Sequence, residues 1–431
     1  MLRIRALFTF ASIAAGLACA MLSAKVNYSS ELRLQTSLFG DYGLYEQNRG
    51  KTNGSEIEHE FRADFTAAQD DLYLLQLRAG RRLLDAEEFL RPPEKDVLRL
   101  HQAYLDYSLP TDHEINLRLG RQVLDYQRGI LVGPDDWDME GNSFDAALLQ
   151  LDGATWDLDL LHGHLAKDHH NQVSLISLER TTPRRTINEF YLWRFGLDAE
   201  EDTLPLGAHP DIEVYNLGTR MEGKLSRPLF YHWMVNYQTG AMKMAPEKDM
   251  RSYNFVANLD YFVDHPLLRN VGIEYSHSSG DDASTPDRHE TFLPPFADRH
   301  VRSGAMDWMS MMNGEVLTLY LFADPRPDLE LLLEYHYFRL PSQDSAWYVA
   351  DLSAAWASGG NNWPGNAPAS KDVGSELDLH LTYAKNPNRS YSLGYSVFFP
   401  GDLITDWNPS SGGWGRDNSS RWAYFRATFK F

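Results

Sequence analysis

IEHEFRADFTA, residues 57–67, alternates between two kinds of side chain. Phe61, Ala63, Phe65 and Ala67 are apolar, whereas Glu58, Glu60, Arg62 and Asp64 at the intervening positions are charged. Successive side chains of a β-strand point to opposite faces. The segment is therefore predicted to be a strand with one apolar face and one polar face.

The same alternation recurs along the chain, for example in INLRLGRQ (115–122), TWDLDLLHGH (155–164), LFYHWMVNYQTG (229–240) and ELDLHLTY (376–383). Aromatic residues make up 13% of the sequence, and beyond the N-terminal segment no apolar run approaches the length of a membrane-spanning helix. Strands of about ten residues with an apolar outer face are typical of barrels in a bilayer. We predict an all-β fold, a porin-like transmembrane antiparallel β-barrel of about 18 strands.

The N-terminal segment is predicted to be a cleaved signal peptide, residues 1–24, followed by one barrel domain, residues 25–431. Arg3 and Arg5 precede an apolar stretch that ends in small residues around Ala18–Ala20, a pattern typical of secretory signals. A membrane anchor is the alternative. The only cysteine, Cys19, lies in this segment, so the mature chain has no thiol for disulfides, metal sites or nucleophilic catalysis.

The links between strands differ in length. Short links, such as Leu109 to Asp112 and Ala384 to Asn388, alternate with long polar ones, predicted at Lys167 to Glu213 and Gly280 to Asn313. Outer-membrane barrels have short turns on one rim and long loops on the other. We therefore predict the outer membrane as the location, with outer-membrane lipid around a monomer.

The charges predicted to face the lumen are mostly acidic. The basic set is Arg62, Arg78, Arg82, Arg118, Arg220, Lys224, Arg426 and Lys430; the acidic set is Glu58, Glu60, Asp64, Asp106, Asp157, Asp159, Glu222, Asp260, Glu274, Glu330, Glu334, Glu376 and Asp378. The formal net charge of the chain is −20. This balance argues against nucleic acid as a partner and favours cations in the lumen.

Two blocks resemble the alginate export family of outer-membrane barrels: LRLGRQVLDYQRGILVGPDDWDMEGNSFDAALLQL (117–151) and DVGSELDLHLTYAKNPNRSYSLGYSVFFPGDLI (372–404). The resemblance implies a channel for an anionic polyuronate with arginines at its constriction. It also implies roles for Arg121, Gln122, Asp145, Glu376 and Asp378. Asp135 to Gly141 would form a loop whose acids lie in water or face basic wall residues such as Arg118 and Arg121.

The terminal FRATFKF (425–431) is similar to the aromatic strand that the outer-membrane assembly machinery recognises, with Phe431 as the contact. The predicted pore-lining residues are Arg62, Arg78, Arg118, Arg121, Gln122, Asp145, Arg220, Glu376, Asp378 and Arg426. For Arg121, a salt bridge at the membrane interface or one that pins a loop is an equal alternative. Trp422 and Tyr424 are predicted either to stack on sugar rings or to anchor the barrel at the interface.

The predicted function is passive translocation of a hydrophilic solute without a cofactor, with export of an alginate-like anionic polysaccharide first. A general or uptake porin for small hydrophilic or cationic solutes is the first alternative, and a plugged structural or adhesive barrel the second. No enzyme is predicted, because the sequence lacks the common hydrolase, metalloprotease and phosphate-binding motifs.

Two metal interpretations are weaker. Asp136 to Gly141 begins like a calcium loop, but Ala147 occupies the position that requires a bidentate glutamate. His162, His164, His169 and His170 are close enough in sequence to suggest a metal site. A strand end running into a loop is the favoured explanation, so we predict no metal.

Overall fold

A computed structural model of the protein describes residues 26–40, 55–69, 73–85, 94–109, 114–197, 211–243, 246–350, 370–405 and 419–431. The predicted signal peptide, residues 1–24, lies outside these residues and stays a prediction. Within the described part of the chain, no helix has the length and apolar character needed to cross a bilayer.

The strands in these residues are β1 (Asn27–Gly40), β2 (Ser55–Gln69), β3 (Tyr73–Asp85), β4 (Glu94–Leu109), β5 (Glu114–Gln122), β6 (Phe144–Asp152), β7 (Trp156–Leu165), β8 (Asp168–Thr181), β9 (Ile187–Leu197), β10 (Asp211–Lys224), β11 (Leu229–Lys243), β12 (Lys248–Phe262), β13 (Leu268–Ser278), β14 (Arg288–His289), β15 (Glu315–Arg326), β16 (Leu329–Arg339), β17 (Asp372–Asn386), β18 (Arg389–Pro400) and β19 (Ser420–Lys430). One α-helical turn, α1, spans Asp402–Thr405, and 3-10 turns span Gln127–Gly129 and Arg299–Val301.

The strands form one closed antiparallel barrel. The two-residue β14 is a loop segment that pairs in parallel with β12, and the other eighteen strands pair with their neighbours in chain order. The barrel closes between β1 and β19, where the register runs from Gly40 opposite Arg421 to Glu31 opposite Lys430. The prediction of a porin-like barrel of about 18 strands is confirmed.

The two faces of the strands follow the alternation in the sequence. Phe65, Phe190 and Leu217 point outward and are 57%, 63% and 63% exposed. Asn216, on the opposite face from Leu217, is fully buried in the lumen. A bilayer covers such an apolar outer face, while the inner face keeps its polar groups hydrogen-bonded.

The two rims differ in the links that they carry. On the turn rim, where β1 and the residue after β19 meet through two hydrogen bonds between Ser30 and Phe431, neighbouring strands are joined by short turns. On the loop rim, two long links that are described in full fold inward: the Trp137 loop (residues 123–143) and the Trp308 loop (residues 279–314). Residues 340–350 pack inward beside them. The predicted long link from Lys167 to Glu213 is wrong, since most of that segment forms β8 and β9.

Candidate functional site in the barrel lumen

The infolded loops pack against the inner wall through two apolar clusters. In the first, Ile130, Leu131 and Val132 of the Trp137 loop pack with Phe144 and other inward residues of β6 to β12. In the second, Met306 and Trp308 of the Trp308 loop pack with inward residues of β15 to β19, such as Phe338 and Phe398. Because apolar burial holds both loops in place, they narrow the loop-rim half of the lumen.

A cluster of arginines lines the inner wall at the tip of the Trp137 loop. We call Arg33, Arg62, Arg78, Arg99 and Arg426, from β1 to β4 and β19, the arginine cluster. Three of them bind the Asp136 carboxylate: Arg33 at 2.8 Å, and Arg62 and Arg78 at 3.1 Å each. Asp136 therefore places one carboxylate where three guanidinium groups converge.

The charge environment of Asp136 favours its ionised form. Burial alone would raise the pKa of this carboxyl, but the charges of Arg62 and Arg33 and the hydrogen bond from Arg62 outweigh burial and hold the pKa well below its usual range. Arg33 and Arg62 also donate to the Asp136 carbonyl oxygen, at 2.9 and 3.1 Å. Backbone and carboxylate are thus held together, which fixes the loop tip on the wall.

The remaining members of the cluster hold the residues after Asp136. Arg99 donates to the Gly141 carbonyl at 3.1 Å. The Arg426 guanidinium lies 3.9 Å from the centre of the Trp137 ring, and His300 of the Trp308 loop stacks on the same ring at 3.8 Å. Trp137 therefore contacts a cation and an imidazole, and it makes T-shaped contacts with the rings of Trp422 and Tyr424.

The opposite wall carries mainly acids. A cavity of about 450 Å³, which we call the acidic chamber, lies between the Trp137 loop and β6 to β10. Its charged residues are Asp125, Asp152, Asp157, Asp159, Glu179, Glu189, Arg128 and Arg220. Arg220 binds Glu189 at 2.7 Å, Glu179 at 2.9 Å and Glu222 at 3.2 Å. One arginine thus faces three carboxylates, the reverse of the arrangement around Asp136.

Two buried acids of β17 hold the Trp308 loop. Met306 N donates to Glu376 Oε1 at 2.8 Å, and Ala305 N donates to Asp378 Oδ2 at 3.2 Å. Gly304 precedes them with a φ of +80°, and a Cβ there would lie 2.7 Å from Glu376 Oε1. Glycine is required at this position because the backbone is left-handed and touches the carboxylate.

The two infolded loops are also joined to each other. The Arg299 side chain binds the Asp135 carboxylate, with Nε to Oδ2 at 2.9 Å. Asp298 N donates to the Gly129 carbonyl at 2.8 Å. Burial, followed by the nearby charge of Asp135, raises the pKa of Asp298 to about 6. This carboxyl therefore titrates at the contact between the loops.

Most of the predicted pore-lining residues face inward, but they do not form one site. Arg62, Arg78 and Arg426 meet in the arginine cluster, whereas Arg118 pairs with Asp106 at 2.7 Å and Arg220 belongs to the acidic wall. Gln122, Glu376 and Asp378 are fully buried and bind backbone groups. All three side chains face inward, and their contact with a solute stays a prediction.

Arg121 and Asp145 are placed on the outer face, so the prediction that they line the pore is wrong. The Arg121 guanidinium lies 2.7 Å from the Asp145 carboxylate, and the two residues are opposite each other on β5 and β6. Their chain neighbours Gln122 and Phe144 are buried and face inward. Strand alternation puts their side chains on the face opposite to those buried neighbours. The alternative of an interfacial salt bridge agrees with this position.

The loop acids do face a basic wall, but it is not the one that was predicted. Asp136 meets Arg33, Arg62 and Arg78 instead of Arg118 and Arg121. Sequence reasoning missed Arg33 and Arg99, although both alternate with leucines in ELRLQTSLF and LRLHQ and could have been assigned to the lumen. The partners themselves lie 58 to 103 residues from Asp136, beyond any local signal.

The structure also gives the positions of the residues in the two metal interpretations and of the two aromatic residues Trp422 and Tyr424. The first acid of the calcium-like segment, Asp136, is bound by guanidinium groups. His162 and His164 lie in β7, outside any loop, and the described residues contain no group of three or more His, Cys, Asp or Glu arranged for a metal ion. Trp422 and Tyr424 face inward at 4% and 7% exposure, which excludes interface anchoring and leaves little ring surface for stacking.

Comparisons with known proteins agree on the class of protein. A family model described as alginate export matches residues 41–413. A search of curated proteins gives no match. Among solved structures, Pseudomonas aeruginosa OpdK with vanillate is 10% identical, with a TM-score of 0.57 over 94% of this chain and 98% of that chain. Pseudomonas aeruginosa OccK11 (OpdR) is 14% identical, with a TM-score of 0.56 over 94% and 96%. Pseudomonas aeruginosa OprD is 12% identical, with a TM-score of 0.53 over 94% and 93%.

Proposed function

From the premise that this chain belongs to the alginate export family, and is therefore an outer-membrane channel, we propose that it passes solutes that bear carboxylates. An alginate-like anionic polysaccharide is the first candidate. The observation that carries the proposal is the Asp136 carboxylate bound by Arg33, Arg62 and Arg78. A site that holds one carboxylate with three guanidinium groups has the chemistry to hold the carboxylate of a solute.

Asp136 acts in this proposal as a built-in competitor. It is tethered to the loop and its side chain is 43% exposed, whereas the side chains of Arg33, Arg62 and Arg78 are 2–12% exposed. A dissolved carboxylate would therefore reach these guanidinium groups by displacing Asp136. Transport requires binding that is strong enough to admit a solute and weak enough to release it. Competition by Asp136 weakens the site for solute and so favours release. Translocation is passive, and selectivity comes from the wall and the loop tip.

A second candidate, an uptake porin for small hydrophilic or cationic solutes, is favoured by the acidic chamber. Its acids outnumber its two arginines, and such a wall attracts cations. Long loops of outer-membrane barrels face the outside and short turns face the periplasm. We therefore propose that the acidic chamber lies on the periplasmic side of the Trp137 loop. The apolar packing of both loops favours the third candidate, a plugged structural barrel.

The proposed partners follow from the barrel. Outer-membrane lipid covers the apolar outer face, and we propose a monomer, since the described strands close on themselves. Phe431 ends the chain on the turn rim with 72% of its surface exposed. This exposure supports the proposal that the assembly machinery contacts Phe431.

The test is block of single-channel current by trigalacturonate in planar bilayers. Arg78→Gln should weaken the block at least about tenfold, which corresponds to about 1.4 kcal/mol, because one of the three carboxylate-binding groups is lost. Arg81→Gln, an outward arginine of the same strand, is the matched control and should leave the block unchanged. Block that is the same in both variants would remove the arginine cluster from the path. Cation selectivity without block would favour the second candidate, and no conductance the third.

A further inference from the structure

We propose that a second cavity, beside Trp137, binds one uncharged hydroxylated ring of a saccharide, next to the arginine cluster that takes the carboxylate. The inference rests on the proposed function, because it assumes that the solute is an anionic saccharide in which rings without a carboxylate accompany the charged rings. The cavity measures about 210 Å³. Drug-sized ligands occupy about 300–1,000 Å³, so this volume suits a single ring. We call it the ring cavity.

The polar groups of the ring cavity include both donors and acceptors. Its side chains are mainly those of Glu334, His336, His380, His300, Tyr424 and Leu332, and Trp137 adds its edge. A carboxylate only accepts hydrogen bonds, a phenol does both, and a neutral imidazole has one donor and one acceptor nitrogen. Sugar hydroxyls also donate and accept, so this set matches a hydroxylated ring.

Two of these groups have unused hydrogen-bonding capacity. His336 is 4% exposed and its Nδ1 lies 2.9 Å from Thr318 Oγ1, but its Nε2 is buried without a hydrogen bond. That nitrogen only makes an ion-pair contact with Asp378, at 3.2 Å. The Glu334 carboxylate lies 4.0 Å from His380 Nε2, beyond hydrogen-bond distance. The Glu334 side chain is 25% exposed, so its carboxylate can accept a hydrogen bond from a ligand hydroxyl or from water in this space.

A metal ion fits the cavity less well than a sugar. The described residues contain no group of three or more His, Cys, Asp or Glu arranged to hold one. The ring stacking that is common in sugar sites is also restricted, since both faces of Trp137 are covered by Arg426 and His300. The Tyr424 ring fills the space above Gly394, where a Cβ would lie 2.0 Å from it. Recognition would therefore rely on hydrogen bonds to hydroxyl groups.

The ring cavity and the arginine cluster are contiguous. Trp137 lines the cavity, and the preceding residue, Asp136, is bound by three arginines. The Arg426 guanidinium lies 3.9 Å from the Trp137 ring and 6.0 Å from the Tyr424 ring, so it borders both sites. A saccharide that replaces Asp136 with its own carboxylate would have a neighbouring ring beside this cavity.

The experiment is isothermal titration calorimetry of the refolded mature barrel with maltotriose, an uncharged probe. An alkyl amine oxide detergent is needed, since maltoside detergents carry the ring under test. Leu332→Trp fills the cavity from its wall and should weaken maltotriose binding at least tenfold. Thr382→Trp adds the same bulk on the next strand, at Glu330–Thr382, the next inward pair after Leu332–His380 toward the turn rim. This variant should change maltotriose binding less than twofold.

A second variant guards against a folding defect. Glu334→Leu removes the acceptor without filling the space and should also weaken maltotriose binding at least tenfold. Absence of maltotriose binding in the wild-type barrel, or equal binding by the Leu332 and Thr382 variants, would overturn the proposal. Trigalacturonate binding tests the proposed function separately from the ring cavity. If the barrel binds maltotriose but not trigalacturonate, the carboxylate function fails while the ring cavity stands; the reverse result rejects the cavity alone.

Discussion

Two walls of one lumen handle charge in opposite ways. On β1 to β3, three arginines converge on one loop carboxylate, Asp136. On β8 to β10, one arginine, Arg220, faces Glu179, Glu189 and Glu222. The first wall thus directs several guanidinium groups at one loop carboxylate, although Arg62 and Arg78 also bind Asp64 of the wall, and the second has more carboxylates than arginines. The formal net charge of −20 describes neither wall, because ion selectivity depends on which strand carries each charge.

The two walls also differ in how readily a dissolved anion could replace the carboxylates that their arginines bind. Asp136 belongs to a loop, and a dissolved anion can displace a loop residue more readily than a wall residue. The partners of Arg220 are all strand residues, fixed by the barrel. In the proposed function, the arginine wall is therefore the site that a solute occupies, and the acidic wall is a fixed field that the solute passes.

The largest expected effect is that of Arg78→Ala. Arg78 is 3% exposed and binds both Asp64, at 2.8 Å, and Asp136, at 3.1 Å. Removing one partner of a buried pair leaves a charge uncompensated and costs about 3–5 kcal/mol. The free energy of unfolding in detergent, from urea titration, measures this loss.

Arg81→Ala is its control, because the Arg81–Asp96 pair of the same strand is 3.6 Å long and its side chains are 53% and 71% exposed. Exposed pairs contribute about 0–1 kcal/mol. Equal losses in the two variants would mean that the arginine cluster has no special place in the fold.

The acidic wall should respond in selectivity instead of stability. In the double variant Asp152→Asn and Asp157→Asn, two acids of the acidic chamber lose their charge. A unit charge about 7 Å from an ion in water contributes about 0.6 kcal/mol, which attracts a cation and repels an anion. Removing two such charges should therefore lower the cation-to-anion permeability ratio at low salt, by up to roughly fiftyfold before screening. Reversal potentials under a salt gradient measure the ratio. An unchanged ratio would place the conducting path away from this wall.

A smaller effect is expected from pH at the contact between the loops. The pKa of Asp298 is about 6 in the folded protein against 3.8 for the free side chain, because of burial and then Asp135. Between these values the folded state keeps a proton that the unfolded state has lost, so stability should fall as pH rises through this window. Asp298→Asn should remove that part of the pH dependence. Thermal unfolding at a series of pH values tests it, and identical profiles for both proteins would contradict it.

The smallest effect is expected from Arg121→Ala. The Arg121–Asp145 pair lies on the outer face, with side chains 27% and 33% exposed. Its loss should cost no more than about 1 kcal/mol and leave ion selectivity unchanged. Arg118→Ala, on the inward face of the same strand, should shift the reversal potential. A shift for Arg121→Ala as large as that for Arg118→Ala would return Arg121 to the lumen.

The sequence was sufficient to predict the barrel and the strand face on which most charged side chains lie. Alternation alone assigns Arg62, Arg78 and Arg118 to the inner face, and it also assigns Arg121 to the outer face with Leu117 and Leu119. Our prediction for Arg121 was wrong because the resemblance of the Gly-Arg-Gln motif was preferred to the alternation. A motif shows similarity to a family, but strand geometry decides where a side chain points.

Strands β8 and β9 were missed for a different reason. Val173, Leu175, Trp193 and Phe195 face inward but are apolar, because the infolded loops pack on them. The loop-rim half of their inward face is therefore apolar, and the polar–apolar alternation that reveals a barrel strand is interrupted there. The contacts of Asp136 were also beyond reach, since they join residues far apart in sequence through a loop without regular structure.

The most direct test of the account is trigalacturonate block of the Asp136→Asn variant. If Asp136 competes for the arginine cluster, removing its charge should strengthen the block about tenfold, equivalent to about 1.4 kcal/mol, and shift the reversal potential toward anion selectivity. Asp145→Asn, which removes an acid from the outer face, should do neither. A block by trigalacturonate that is unchanged or weaker in Asp136→Asn would contradict the claim that these arginines form the anion-binding site of the channel.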